Sequence, residues 1–164
     1  KFKHAQERFK TIEDAKKVFE KVQPGLFRII RVEEKSSSQP PPQLFDLTEL
    51  QRTMNRLYSF TAMQTLEYTQ SLYEKKYVSY PRTDSRYLSD DLYKQCGPIL
   101  QNLKRGYADK IALLNTEKLP KSKRFFDSAK VSDHHAIIPT GQHPAGLSNQ
   151  ENLVFNAIAT RFIS

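Results

Sequence analysis

Two short stretches hold the side chains best suited to chemistry. Tyr77-Val78-Ser79-Tyr80-Pro81-Arg82-Thr83-Asp84-Ser85-Arg86-Tyr87-Leu88 sets a phenol beside a proline, with a guanidinium two residues after the phenol. Pro81 fixes its own φ and pushes Tyr80 into an extended conformation. In an extended segment the side chains at i and i+2 point the same way, so Tyr80 and Arg82 can face one shared object. A phosphate suits both, because arginine binds it bidentately and a phenol oxygen can attack it. An ordinary loop is the plain alternative. The second stretch is Ser132-Asp133-His134-His135-Ala136-Ile137-Ile138-Pro139-Thr140-Gly141. Neighbouring side chains in an extended run point to opposite sides, so one imidazole can face a site while the other packs. Histidine donates to phosphate oxygens and moves protons near neutral pH. A loop with two solvated histidines is the alternative here. No metal site is expected from these residues: Asp133, His134 and His135 are contiguous, and the usual ligand spacings are missing around them and His143.

The elements that must position these residues are mostly helical. Ile12, Ala15, Val18, Phe19 and Val22 make one stripe behind Thr11 as N-cap, which predicts a helix over 11–22. Pro24-Gly25 then opens a β-rich run, Leu26 to Val32. Ser36-Ser37-Ser38-Gln39-Pro40-Pro41-Pro42 reads as a stiff polar connector and the best internal boundary. Beyond it, Thr48 and Gln51 can form a capping box for a helix burying Leu47, Leu50, Met54 and Leu57. After a break at Tyr58-Ser59-Phe60, Thr61 caps a second helix over 61–75, a helix-turn-helix arrangement. Tyr77 to Tyr80 reads as a brief strand. Ser89 is expected to cap a helix over 90–103, a further turn or two lies at 107–114, and the Phe125-Phe126 pair tucks inward from a basic loop. A last helix spans 149–163. The fold class is mainly α with a small β part (α+β), divided into residues 1–45 and residues 46–164.

Composition narrows the partners. The chain has 164 residues, a net charge of +8 and a 38% apolar fraction, with ten Phe and eight Tyr available for a core. Such a basic balance favours polyanions, nucleic acid first. No run reaches the ~18 apolar residues a bilayer span requires, so no membrane partner is expected. The lone Cys96 rules out an internal disulfide framework and fits a reducing cytosol. The sequence opens without an initiator Met and closes inside a helical pattern, which reads as a piece of a longer protein.

Tyr80 to Leu88 and Asp133 to Thr140 together closely resemble the type IA DNA topoisomerases, the topoisomerase III branch in particular. Pro41-Pro42-Gln43-Leu44-Phe45-Asp46-Leu47-Thr48-Glu49-Leu50-Gln51 resembles the same family, and the likeness covers about 40–164 well and 1–39 more loosely. The resemblance implies a winged-helix-like catalytic tyrosine domain at 46–164 and a partial β-rich arch segment with linker at 1–45. It implies that Tyr80 attacks a phosphodiester of single-stranded DNA to give a transient 5′-phosphotyrosyl link, allowing strand passage and resealing without ATP. Arg82 matches the arginine that holds the scissile phosphate. His134 matches the active-site histidine, with His135 the second candidate. Thr83, Asp84, Ser85, Arg86 and His135 are expected to contact DNA or brace the tyrosine. Mg²⁺ is implied for the parent enzyme, with its ligands on an acidic domain outside these residues, since no Asp-x-Asp pair occurs here. No cofactor is expected on the fragment, which is expected to be inactive alone. Its partners would be single-stranded DNA and the remaining domains of the parent; in a prokaryotic host, if the parent comes from one, it would be cytoplasmic on nucleoid or plasmid DNA. The competing reading is a non-catalytic winged-helix DNA-binding module, with Tyr80 a packed aromatic. Tyrosine recombinases need a His-x-x-Arg cluster and relaxases a His-hydrophobic-His pair, and neither occurs.

Overall fold

The computed structural model describes residues 8–23, 25, 28, 29 and 31–164. They fall into two compact units, Lys1–Gln39 and Pro40–Ser164. In the first, α1 (Ile12–Val22) begins where Thr11 Oγ1 accepts the amide of Asp14. Its apolar residues Ile12 and Phe19 are largely exposed. Leu26, Phe27 and Ile30 of the expected β-rich run lie outside the described residues. Arg28, Ile29, Arg31 and Val32 belong to no strand.

The second unit holds α2 (Leu47–Tyr58), α3 (Ala62–Glu74), α4 (Tyr93–Ile111) and α5 (Asn149–Ile163). It is mainly α. Residues 40–45 belong to it rather than to a linker, because Leu44 and Phe45 are buried in its core. Helix α3 packs against both α2 and α5. Its buried stripe is Thr65, Thr69 and Leu72. Buried threonines are tolerated here because each hydroxyl is satisfied within the helix: Thr65 Oγ1 donates to the Thr61 carbonyl at 3.0 Å, Thr69 Oγ1 to that of Thr65 at 2.6 Å.

Several helix starts differ from the sequence expectation. The N-cap of α2 is Asp46, whose Oδ1 accepts the Glu49 amide at 2.6 Å, rather than Thr48. Asp46 wins because the residues around it are anchored from outside the helix: Leu47 N donates to the Thr83 carbonyl at 3.0 Å, and Arg86 binds the second carboxylate oxygen. Leu50 and Met54 are fully buried, whereas Leu57 is 55% exposed at the end of α2. Thr61 forms a reciprocal capping box with Gln64 at the start of α3. Ser89 supplies no side-chain cap. The Asp90 amide bonds Ser128 Oγ instead, at 2.9 Å, and a single 3₁₀ turn (Asp90–Leu92) leads into α4. Helix α4 runs through Pro98 and absorbs the separate turn expected at 107–114, with its kink at Tyr107 (φ −135°, ψ 34°).

Among the described residues the β content reduces to three single bridges: Phe45 with Ile137 and Val78 with Pro139, both antiparallel, and Leu88 with Phe126, parallel. The segment 136–140 therefore runs between Phe45 on one side and Tyr77–Ser79 on the other, which explains its apolar run. Ala136, Ile137 and Ile138 are each at most 4% exposed. The expected strand at Tyr77–Tyr80 is this bridge, flanked by Ser79 N to Ile138 O at 2.8 Å and Thr140 N to Tyr77 O at 3.0 Å. No helix among the described residues is long and apolar enough to cross a membrane.

Candidate active site

The site starts at the C-terminus of α3. The Lys76 amide donates to the Tyr73 carbonyl at 2.8 Å and the Tyr77 amide to that of Leu72 at 2.9 Å, with Lys76 left-handed at φ 63°. This paired arrangement is the Schellman stop, and it turns the chain back along 138–140. Seven residues after Tyr73, the ring of Tyr80 meets it edge-on, centroids 5.3 Å apart at 82°. On its other contact, Tyr80 lies 4.3 Å from the His134 ring, tilted by 41°. The phenol is half-buried, and its hydroxyl has no hydrogen-bond partner among the described residues.

Past Tyr80, burial alternates: Pro81, Thr83 and Ser85 face inward, Arg82 and Asp84 outward. That alternation belongs to an extended segment. Arg82 forms no ion pair among the described residues. Asp84 accepts from Ser132 Oγ at 2.8 Å. Thr83 and Ser85, expected to contact DNA or brace the tyrosine, turn inward. Thr83 Oγ1 donates to the His134 carbonyl at 2.9 Å, and Ser85 Oγ to that of Lys130 at 3.1 Å. Arg86 is held by Asp46, Nε to Oδ2 at 2.6 Å, with Glu49 at 3.9 Å. The bond from Asp46 raises its pKa further.

Of the two histidines, His134 is exposed and reaches Tyr80. His135 is half-buried, its Nδ1 2.8 Å from the Ala136 carbonyl. The structure thus brings together Tyr80 and His134, with Arg82 on the adjoining segment. It also adds three residues that sequence reasoning missed. Tyr73 gave no signal beyond its place near a helix end. Ser79 looked like part of a strand. Glu151 was visible as the third residue after Ser148, the capping-box position, but its other role was not: it reaches α3, accepting from Ser71 Oγ at 2.6 Å and Lys75 Nζ at 2.5 Å.

Among the described residues no three His, Cys, Asp or Glu side chains are grouped to hold a metal ion. What Tyr80, His134 and Arg82 offer is a nucleophile, a ring that can exchange protons beside it, and a cation free to take a phosphate.

A family model described as DNA topoisomerase matches residues 1–164, and the chain belongs to that family. Its relatives point to the type IA, topoisomerase III-like branch. It is 41% identical over 155 residues to DNA topoisomerase 3 of Shouchella clausii, covering 92% of this chain and 21% of that protein. It is 43% identical over 127 residues to DNA topoisomerase 3 of Bacillus licheniformis, and 41% over 128 residues to that of Bacillus subtilis, each covering 75% of this chain and 18% of the relative. The chain spans about a fifth of the length of these relatives.

Proposed function

We propose that Tyr80 is the nucleophile of a type IA DNA topoisomerase and that this chain carries its catalytic tyrosine domain (40–164) with part of the arch (1–39). The observation that carries the reading is the Tyr80 ring set 4.3 Å from His134 with its hydroxyl unclaimed. Tyr80 Oη attacks the phosphorus of a single-stranded DNA phosphodiester. The bond to the 3′ oxygen breaks, the phenol loses its proton, and the departing 3′ oxygen takes one up. The phenol must give up its proton as its oxygen bonds to phosphorus, so a proton acceptor beside it matters. His134 serves that exchange. Arg82 holds the scissile phosphate and stabilises the charge gathering on its oxygens without releasing a proton itself. The phosphotyrosyl ester retains the phosphodiester's free energy, so attack by the 3′ hydroxyl reseals the strand without ATP.

Mg²⁺ and its ligands belong to other parts of the parent, and the 164 residues alone are inactive in relaxation. Their basic surface binds single-stranded DNA with strong salt dependence. Arg86 is drawn away from DNA by its ion pair, so Arg82 is the principal phosphate contact of the segment. The test uses the parent-length protein with 5′- and 3′-labelled single-stranded DNA and Mg²⁺, trapped with denaturant. A covalent adduct on the 5′-phosphate side that disappears in Tyr80→Phe supports the assignment. Linkage to the 3′ side, or no adduct from a folded and complete protein, overturns it. The second outcome leaves a DNA-binding module as the better description.

A further inference from the structure

The Tyr80–His134 contact joins two segments far apart in the chain, and little backbone pairing holds them at that point. Of the direct backbone bonds between 79–83 and 134–138, only Ser79 N to Ile138 O is present. Two side-chain hydroxyls supply the rest. Ser79 Oγ donates to the Ala136 carbonyl at 3.0 Å and accepts the Ile138 amide at 2.9 Å. Thr83 Oγ1 donates to the His134 carbonyl at 2.9 Å and accepts the Ser85 amide at 3.1 Å. The two hydroxyls bracket Tyr80 along its own segment and land on either side of His135 in the other. Thr83 is only 7% exposed, so its bonds are protected from water.

The geometry points to Ser79 and Thr83 as positioning residues for the covalent step, acting by fixing the His134 backbone, and hence its ring, against Tyr80. This rests on the reading of Tyr80 as nucleophile. Neither hydroxyl needs to touch DNA. Each replaces a missing ladder bond, and each sits on a different side of the reacting ring, so loss of either lets the two segments drift. Thr83 carries the greater share, because its acceptor is the carbonyl of His134 itself.

The experiment measures two quantities in the parent-length protein: the rate of covalent adduct formation at saturating labelled single-stranded DNA, and the Kd for the same oligonucleotide. Thr83→Val keeps shape and β-branching but removes the hydroxyl. It is expected to slow adduct formation about 10-fold or more, the scale of effect that misplacing a reacting group produces. The Kd stays within about twofold, since phosphate contacts set affinity. Thr83→Ser, which restores the hydroxyl, stays within about threefold of the parent rate. In a His134→Ala background, Thr83→Val costs less than about twofold, because the hydroxyl acts through the histidine.

A folded Thr83→Val protein that cleaves at the parent rate overturns the proposal. So does an equal loss with and without His134, which would mark a general structural role. If Thr83→Val does not fold, Ser79→Ala in the same cycle decides the matter by the same criteria. Absence of any Tyr80-dependent adduct in the parent refutes the nucleophile assignment itself, and is distinguishable because it precedes every variant.

Discussion

Replacing Glu151 with Gln removes one negative charge from the junction of α3 and α5 while keeping the side chain's length. The carboxylate is 8% exposed and takes bonds from Lys75 Nζ at 2.5 Å, Ser71 Oγ at 2.6 Å and the Ser148 amide at 2.8 Å. Burial pushes its pKa up, but the bonds from Lys75, Ser71 and Ser148 outweigh burial and hold it at about 2, below the ordinary 4.5. At about 1.4 kcal/mol per pKa unit, that gap corresponds to roughly 3 kcal/mol of folding free energy. The folded-state value is the depressed one. The contribution is therefore complete above pH 4.5 and drains away as pH falls toward 2. Gln retains the capping geometry at Ser148, and Lys75 is 41% exposed, so its freed ammonium is hydrated rather than stranded. Urea unfolding at neutral pH is expected to show the variant about 2–3 kcal/mol less stable, with a Tm about 5–10 °C lower. The assay is repeated down to about pH 3, where the gap between the two proteins narrows to less than half its neutral value. A gap that stays constant from pH 7 to pH 3 would refute the reasoning, since a charge-dependent tie must vanish when the charge does.

Three further expectations follow from local geometry. Gly97→Ala, usually stabilising inside a helix, is expected to destabilise by about 1–3 kcal/mol, because the new Cβ would lie 2.8 Å from the Thr116 carbonyl oxygen; a gain in Tm would contradict the placement of the 115–117 loop. Lys76→Gly is expected to raise stability by up to about 1 kcal/mol in thermal unfolding, because a left-handed φ of 63° strains any residue with a Cβ. Burial pushes the Cys96 thiol up to about 11, so a thiol-reactive disulfide reagent at pH 8 is expected to label it on unfolding and hardly at all in the folded chain. Rapid labelling of the native protein would show that the α4 packing around Cys96 opens readily.

The parts of this fold that were readable in advance are those whose cause is local. Thr11 and Thr61 lie within a turn of the helices they cap, and those helices stand where expected. The misplaced starts have distant causes. Asp46 prevails over Thr48 because Arg86 and Thr83, about forty residues on, tie down that end of α2. Ser89 loses its capping role to Ser128. Thr65 and Thr69 form a buried stripe of polar residue types, made acceptable there by their i−4 carbonyl bonds. At the candidate site, residue types were readable and orientations were not. Thr83 and Arg82 are neighbours in sequence, yet one is buried in hydrogen bonds to the His134 segment and the other stands exposed. The resemblance put His134 ahead of His135, but the contact of its ring with Tyr80 has no signature in local sequence.

The two aromatic walls around Tyr80 are assembled on different scales. Tyr73 is seven residues away and is set by the helix stop at Lys76, so that wall comes with the α3 turn itself. His134 is delivered by a segment held through a few hydrogen bonds across more than fifty residues of chain. Closing such a loop costs more entropy than closing the short one. In native-state hydrogen exchange, the amides of Ala136 and Ile138, bonded to the Tyr87 carbonyl and Ser79 Oγ, would then lose protection ahead of those of Leu72 and Tyr73. The site comes apart histidine first, leaving a tyrosine still packed on its helix but without its partner.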